Sequence, residues 1–358
     1  MKILLLYTYN PSFLSQFFTE LAKLLSESGH EITCFSLKRD ERIFREHNVR
    51  FIIQQQGGYW YNYKAIFNIV KQKQPDAIIS NFSYVNPALL AGKLLGVSNN
   101  IAWIHSLNEQ TKATARQIFI KKQFLKLSTK VVANSETTKN QIINAYGINI
   151  KNVVKIPFWT DILALLKNDA IKKIEGVPKS IYTIGCPGRM SPDKNQKIIL
   201  QALTTLNKNS LTSIRLIYAG DGSEKSNLQE LSKTLKVSKQ VEFLGVLSSE
   251  EMLKFYQDSD LIILPSLHEA FGLVFIEALA LGVPVLVSDA FGALCFIDKK
   301  TPHIKDIIFN PTDVNELTQK LADIVNGDYL PSEYFKNLYD TNFKKEVILN
   351  QVKALIAK

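Results

Sequence analysis

Residues 260–289 read DLIILPSLHEAFGLVFIEALALGVPVLVSD, and this stretch decides the fold. An apolar run of strand length, DLIILPS (260–266), stops at Pro265. Gly272 lets the chain turn tightly, and helical periodicity runs from about Leu273 to Leu281. Gly282 and Pro284 end that helix, as glycine and proline do just past a helix terminus. A second apolar run, VPVLVSD (283–289), follows. Strand, helix and strand in close succession make the βαβ unit of a parallel sheet. From 269 to 285 only two charges interrupt the apolar residues, Glu269 and Glu277. Carboxylates in such company need something polar to meet them.

The same alternation extends in both directions. Before the middle of the chain, KILLLYTY (2–9), EITCFS (31–36), DAIISN (76–81), NIAWIH (100–105) and KVVANS (130–135) read as strands, and LSQFFTELAKLLSESGH (14–30) as a helix. A second series runs through SIYTIGCPGR (180–189), SIRLIYAGDG (213–222) and QVEFLGVL (240–247) into the opening stretch. Between them DILALLKNDAIKKIEGVPKS (161–180) carries more charge and ends in Gly and Pro, as a linker does. The expected architecture is α/β: two doubly wound, Rossmann-like domains facing a central cleft. Residues 1–165 form the first domain, 166–340 the second, and 341–358 a helix that packs back on the first.

A chain of 358 residues is long enough for two cores. No apolar run reaches the roughly 18 residues that a membrane-spanning helix needs. The three cysteines, Cys34, Cys186 and Cys295, are far apart. They form neither a metal spacing nor a disulfide framework, which fits a reducing, cytoplasmic setting. The net charge of +10 is unevenly spread. Residues 1–165 hold 20 Lys and Arg against 10 Asp and Glu, and the remainder holds 23 of each. That field favours anionic partners.

Chemistry gathers around the opening stretch. Glu269 precedes the helix and Glu277 lies about one turn inside it. The amides of Gly272, Leu273 and Val274 lie at the helix N-terminus, where unpaired N–H groups and the helix dipole favour phosphate. Carboxylates accept well from sugar hydroxyls, and a nucleotide sugar carries hydroxyls on both sides of a diphosphate. A second loop, GCPGRMSPDKNQ (185–196), offers Arg189 and Lys194 to the same diphosphate, Arg as a fork and Lys as a point charge. The Glu-x7-Glu spacing recurs at Glu242 and Glu250 without that loop–helix context, so the spacing alone identifies nothing. DSD (258–260) resembles a metal-binding carboxylate pair, yet Asp258 ends a helix and Asp260 opens a buried strand. We read both as structural.

GRMSPDK (188–194), AGDGSEKSNLQEL (219–231), VEFLG (241–245), DSDLIILPS (258–266) and EAFGLVFIEALALGVPV (269–285) occur in the order and spacing of one family. Over about residues 180–290 the chain resembles the family-4 retaining glycosyltransferases of the GT-B fold. The resemblance implies that Glu269 meets the donor sugar and Glu277 the ribose. It implies that Arg189, Lys194 and the amides from Phe271 to Val274 neutralise the diphosphate. His105, at the end of NIAWIH, matches the histidine that contacts the donor sugar or acceptor. Val241 to Val246, with Gly245 and Val246, would line the base pocket. The implied donor is a UDP- or GDP-sugar, with no metal and no further cofactor, and attack from the face the leaving group departs.

The chain departs from the family pattern at three places. The turn after the first strand, YTYNPSFLS (7–15), has no glycine pair. IPFWTD (156–161) stands where many members have Asn-Gly-Val, and AFGALCFIDKK (290–300) lacks the usual glycines and glutamate. The acceptor is expected on the first domain. There KATARQIFIKKQFLKLSTK (112–130) interleaves Lys and Arg with Ile118, Phe119, Phe124 and Leu125, and GGYWYNY (57–63) adds aromatics. This is either a solvated face over an ordinary core helix or an interfacial surface on an anionic membrane, beside a lipid-linked or cell-surface glycan acceptor, with the enzyme peripheral on the inner face. No G-x-G-x-x-G follows the first strand, which argues against a nicotinamide enzyme. No nucleic-acid module accompanies the basic charge. A sugar-nucleotide epimerase or hydrolase, or a non-catalytic sugar-nucleotide-binding subunit, are the rival readings.

Overall fold

The apolar runs form two parallel sheets in a computed structural model that describes residues 1–106, 108, 112–166, 181–206 and 213–357. In chain order the first series is β1 (Lys2–Leu6), α1 (Phe13–Glu27), β2 (Glu31–Lys38), β3 (Arg42–Glu46), β4 (Val49–Gln55) and α2 (Tyr59–Lys73). It continues with β5 (Ala77–Asn81), α3 (Val85–Leu94), β6 (Asn99–Ile104), α4 (Ala115–Leu125), β7 (Lys130–Ala133), α5 (Glu136–Asn144) and β8 (Val153–Lys155). The second is β9 (Ile181–Pro187), α6 (Lys197–Leu206), β10 (Ser213–Ala219), α7 (Lys225–Thr234), β11 (Val241–Gly245), α8 (Ser249–Asp258) and β12 (Leu261–Leu264). Then come α9 (Leu273–Ala280), β13 (Val285–Ser288), β14 (Ile308–Phe309), α10 (Val314–Val325), α11 (Ser332–Asn342) and α12 (Lys345–Ile356).

The first sheet has the order β3-β4-β2-β1-β5-β6-β7-β8, and every pair is parallel except β3 with β4. The second has the order β11-β10-β9-β12-β13-β14, parallel throughout. Both are doubly wound. The strand order reverses at β1/β5 in one sheet and at β9/β12 in the other, and ligands of such sheets bind beyond the carboxyl ends at that point. β12 joins β9 through two residue pairs only, Leu261 with Ile184 and Ile262 with Gly185, so the chains part early above the strand ends. Central strands such as ILLL of β1 and LIIL of β12 are buried along their lengths, because helices cover both faces.

The chain divides into two compact units, Met1–Phe158 with Lys345–Lys358, and Trp159–Lys344. The expected boundary at 165/166 falls inside the second unit. Trp159 and Ile162 are buried, and the 3-10 turn Ile162–Leu165 packs on α8 and α9. The rest of the expected linker, 167–180, lies outside the described residues. The return to the first unit starts at Lys345 and not at 341. α11 stays on α9, while α12 buries Ile348, Val352 and Ile356 against the first unit, and Asn99 Nδ2 donates to the Ile356 carbonyl at 2.8 Å.

Candidate functional site

Arg189 and Lys194 come from the loop after β9, and Glu269 from the loop after β12, so all three stand at the reversal point of the second sheet. Local backbone demands fix the first loop. Gly220 has φ +143, and a Cβ there would lie 2.1 Å from the Gly188 carbonyl oxygen. Only glycine lets the segment after β10 lie flat on 188–190, where Met190 N donates to the Asp221 carbonyl at 2.9 Å. Gln196, buried, donates to the Arg189 carbonyl at 2.9 Å. The Arg189 side chain is exposed and has no ion-pair partner among the described residues.

Lys194 ends a 3-10 turn, and Asn195 behind it adopts the left-handed conformation (φ 52°) with its side-chain amide donating to the Pro311 carbonyl at 2.7 Å. Leu267 N donates to the Asp193 carbonyl at 2.7 Å, which ties this turn to the loop carrying Glu269. The Lys194 ammonium forms a salt bridge with the Glu269 carboxylate, with side-chain exposures of 24% and 16%. Glu269 also pairs by backbone with Phe291, and its carbonyl accepts from Gly292 N at 3.1 Å.

Gly272 is the N-cap of α9 with φ +98, and a Cβ on it would meet the Phe291 ring at 2.3 Å. No side chain caps this helix, and its first turn has no acidic residue. The first amides of α9, Leu273 and Val274, thus lie at a bare helix N-terminus. Phe271 is buried, with its carbonyl accepting from Ala293 N at 2.8 Å.

Glu277 lies one turn into α9, and its Oε2 accepts from the Tyr256 hydroxyl at 2.7 Å. Burial pushes its carboxyl above the usual range, with the tyrosine bond opposing. Tyr256 is fully buried, and its hydroxyl oxygen also lies 3.3 Å from the Val274 carbonyl oxygen. It therefore holds Glu277 to the first turn of α9. Sequence reasoning missed it, since nothing in SEEMLKFYQD marks Tyr256 as pointing at a helix 21 residues later.

Gly245 accepts from Gly220 N at 2.7 Å with φ +77, and Val246 beyond it is 81% exposed. Asp260 opens β12 with its carboxylate accepting from Thr183 N at 2.9 Å. That carboxylate is committed to the sheet. Arg215 forms an ion pair with Glu242, which likewise serves the β10–β11 edge.

His105 belongs to the first unit, immediately after β6. Its Nε2 lies 2.6 Å from Asn81 Oδ1, and Asn81 Nδ2 reaches the Leu6 carbonyl at 3.4 Å. A carboxamide oxygen can only accept, so Nε2 carries the proton and Nδ1 is an acceptor. Nδ1 is buried and has no partner among the described residues. The rings of Phe18, Phe82 and Phe158 lie 5.0–5.6 Å from the imidazole. Burial, with a smaller repulsion from Lys121, depresses the His105 pKa to about 3. Asn81, like Tyr256, is a residue the sequence did not single out. It ends β5, beside the reversal point of the first sheet. The glycine-free first loop closes through side chains instead. Ser12 caps α1 by accepting from Ser15 N, and Asn10 Oδ1 accepts from Ser12 N at 3.0 Å.

The family described as Glycosyl transferases group 1 matches residues 167–341, and that described as Glycosyltransferase Family 4 matches residues 14–162. An uncharacterized glycosyltransferase of Methanocaldococcus jannaschii is 27% identical over 63% of this chain and 58% of its own length. The chain thus matches under two thirds of that relative's length. The alpha-monoglucosyldiacylglycerol synthase of Streptococcus pneumoniae is 24% identical over 90% of this chain and 82% of its own. Among solved structures, Anabaena HepE in complex with UDP-glucose superposes with a TM-score of 0.73 at 17% identity, covering 100% of this chain and 99% of that one.

Proposed function

The chain belongs to glycosyltransferase family 4, with the GT-B fold, and from that premise we propose that it moves a hexose from a UDP- or GDP-sugar to a lipid-linked or cell-surface glycan acceptor with retention at the anomeric carbon. One observation carries the reading. Arg189, Lys194, Glu269 and the uncapped start of α9 share the reversal point of one sheet. Breaking the anomeric bond puts negative charge on the diphosphate and positive charge on the sugar ring. Arg189, Lys194 and the Leu273 and Val274 amides stabilise the former as preorganised donors. Glu269 accepts from sugar hydroxyls, and Glu277, with one oxygen held by Tyr256, accepts from the ribose. Phe271 and Gly272 shape the turn, and Gly245 and Val246 lie toward the base.

The family resemblance implies same-face attack, with no covalent nucleophile. The acceptor hydroxyl bonds to the anomeric carbon as the bond to the diphosphate oxygen breaks, and that departing oxygen takes the hydroxyl proton. His105 Nδ1 is available to accept a hydrogen bond from a ligand hydroxyl. We also propose that no divalent metal is required, since Asp260 is bonded to Thr183 and the cationic work falls to Arg189 and Lys194. The S. pneumoniae relative's name, a glucosyldiacylglycerol synthase, supports a lipid acceptor, and the HepE complex supports a uridine donor.

The test is consumption of UDP- and GDP-hexoses, with and without acceptor lipid, in chelator. Acceptor-dependent consumption with a retained anomer by NMR is expected. Arg189→Ala and Lys194→Ala should each lower kcat by about a hundredfold. Consumption that ignores acceptor would favour a hydrolase or epimerase. An inverted product, or activity abolished by chelator, would remove the mechanism proposed.

A further inference from the structure

The salt bridge between Lys194 and Glu269 joins the two side chains that the proposed function assigns to different parts of one ligand. The bridge is partly shielded, and the loops that carry it are fastened together by the 2.7 Å bond from Leu267 N to the Asp193 carbonyl. We propose that this pair is a discriminating latch: a nucleoside diphosphate sugar satisfies both halves when it opens, whereas a nucleoside diphosphate satisfies only the lysine. The proposal rests on the donor-site reading above and deepens it.

Charge compensation sets the discrimination. In the closed pair each ion is the other's main partner. When a diphosphate takes Lys194, the carboxylate of Glu269 loses that partner and faces new negative charge. A poorly hydrated carboxylate stripped of its cation is costly, and more so beside an anion. Sugar hydroxyls remove that penalty by donating to the carboxylate. After transfer the sugar is gone, and once the diphosphate releases to solvent the proton it took from the acceptor, it carries one more negative charge than the donor did. Glu269 then repels the product and competes with it for Lys194. The carboxylate thus favours donor over product, and the re-formed pair helps the product leave. The Arg189 guanidinium, exposed and outside the pair, serves both ligands and does not discriminate.

This makes an asymmetric prediction for calorimetric binding of UDP, GDP and UDP-glucose to the full chain. Glu269→Gln, which keeps the shape and removes the charge, should bind the preferred nucleoside diphosphate at least fivefold more tightly than the wild type and UDP-glucose no more tightly. The ratio between the two should collapse. Glu269→Asp keeps the charge but draws the carboxylate back by one methylene, so it should tighten diphosphate binding less than Glu269→Gln does. Unchanged or weaker diphosphate binding by Glu269→Gln, in a protein whose thermal midpoint matches the wild type, would overturn the latch. Failure of the wild type to bind UDP or GDP at all would instead overturn the donor-site reading on which the latch rests.

Discussion

His105 shows how much one residue's neighbours decide. Asn81 fixes its proton on Nε2, and burial keeps the ring neutral down to a pH of about 3. The folded pKa lies below the unfolded value, so the unfolded chain binds more protons between them. The neutral ring's contribution to stability is complete above about pH 6.5 and declines as pH falls toward 3. One such group changes unfolding free energy by at most about 1.4 kcal/mol per pH unit in that window. Urea unfolding at pH 7, 6 and 5 should show a shallower loss for His105→Gln than for the wild type, and parallel losses would refute the assignment. Asn81→Ala should move the imidazole toward a tautomer mixture, visible in its nitrogen NMR shifts. Arg189, Lys194, Glu269 and Glu277 could be singled out because glycine and proline mark the strand ends and helix start around them, and His105 because an apolar strand ends at it. Their partners could not. Lys194 and Glu269 are separated by 75 residues, and His105 and Asn81 by 24, and no local pattern links them.

The same contrast holds for elements. β1, β2, β5, β6 and β7 fall within or beside the apolar runs that announce them, as do β9 to β13 of the second sheet. The β3–β4 hairpin was missed. RIFREHNVRFIIQQ carries its turn on His47 and Asn48, both with positive φ (48° and 61°), where Asn-Gly would have signalled it. Its strands also lack a continuous apolar run, since β3 is an edge strand exposed at Arg42 and Ile43. β8 and β14, three and two residues long, are too short to read. The turn into α9 is the element with the least tolerance. Gly272→Ala places a methyl group 2.3 Å from the Phe291 ring at a φ of +98°. Strain of this kind costs roughly 1–3 kcal/mol. Denaturant unfolding should show that loss, and nucleotide binding should weaken with it because the Leu273 and Val274 amides shift. An unchanged midpoint would mean the turn is softer than its geometry indicates.

Across the whole molecule the two units differ in charge far more than in architecture. The sheets share one winding, yet all the excess positive charge lies in the first 165 residues. Part of it is gathered with apolar side chains on one surface of the first unit. At the start of α2, Tyr59, Trp60 and Tyr61 are exposed, Trp60 by 81%. Tyr63 behind them lies 6.3 Å from Phe124 of α4, and α4 exposes Arg116, Phe119 and Ile120. No described helix is long and apolar enough to cross a bilayer. An amphipathic surface of aromatics and cations is instead what an anionic interface holds, through apolar insertion and attraction that salt screens. We therefore expect sedimentation with vesicles containing phosphatidylglycerol, weak binding to phosphatidylcholine alone, and release as salt is raised. Trp60→Ser with Phe119→Ser should lower the vesicle-bound fraction at every salt concentration. Arg116→Gln with Lys126→Gln should lower it chiefly at low salt, where screening is weakest. Binding indifferent to lipid charge and to all four substitutions would leave this surface as an ordinary solvated face, and the positive field of the first unit would then need another anionic partner.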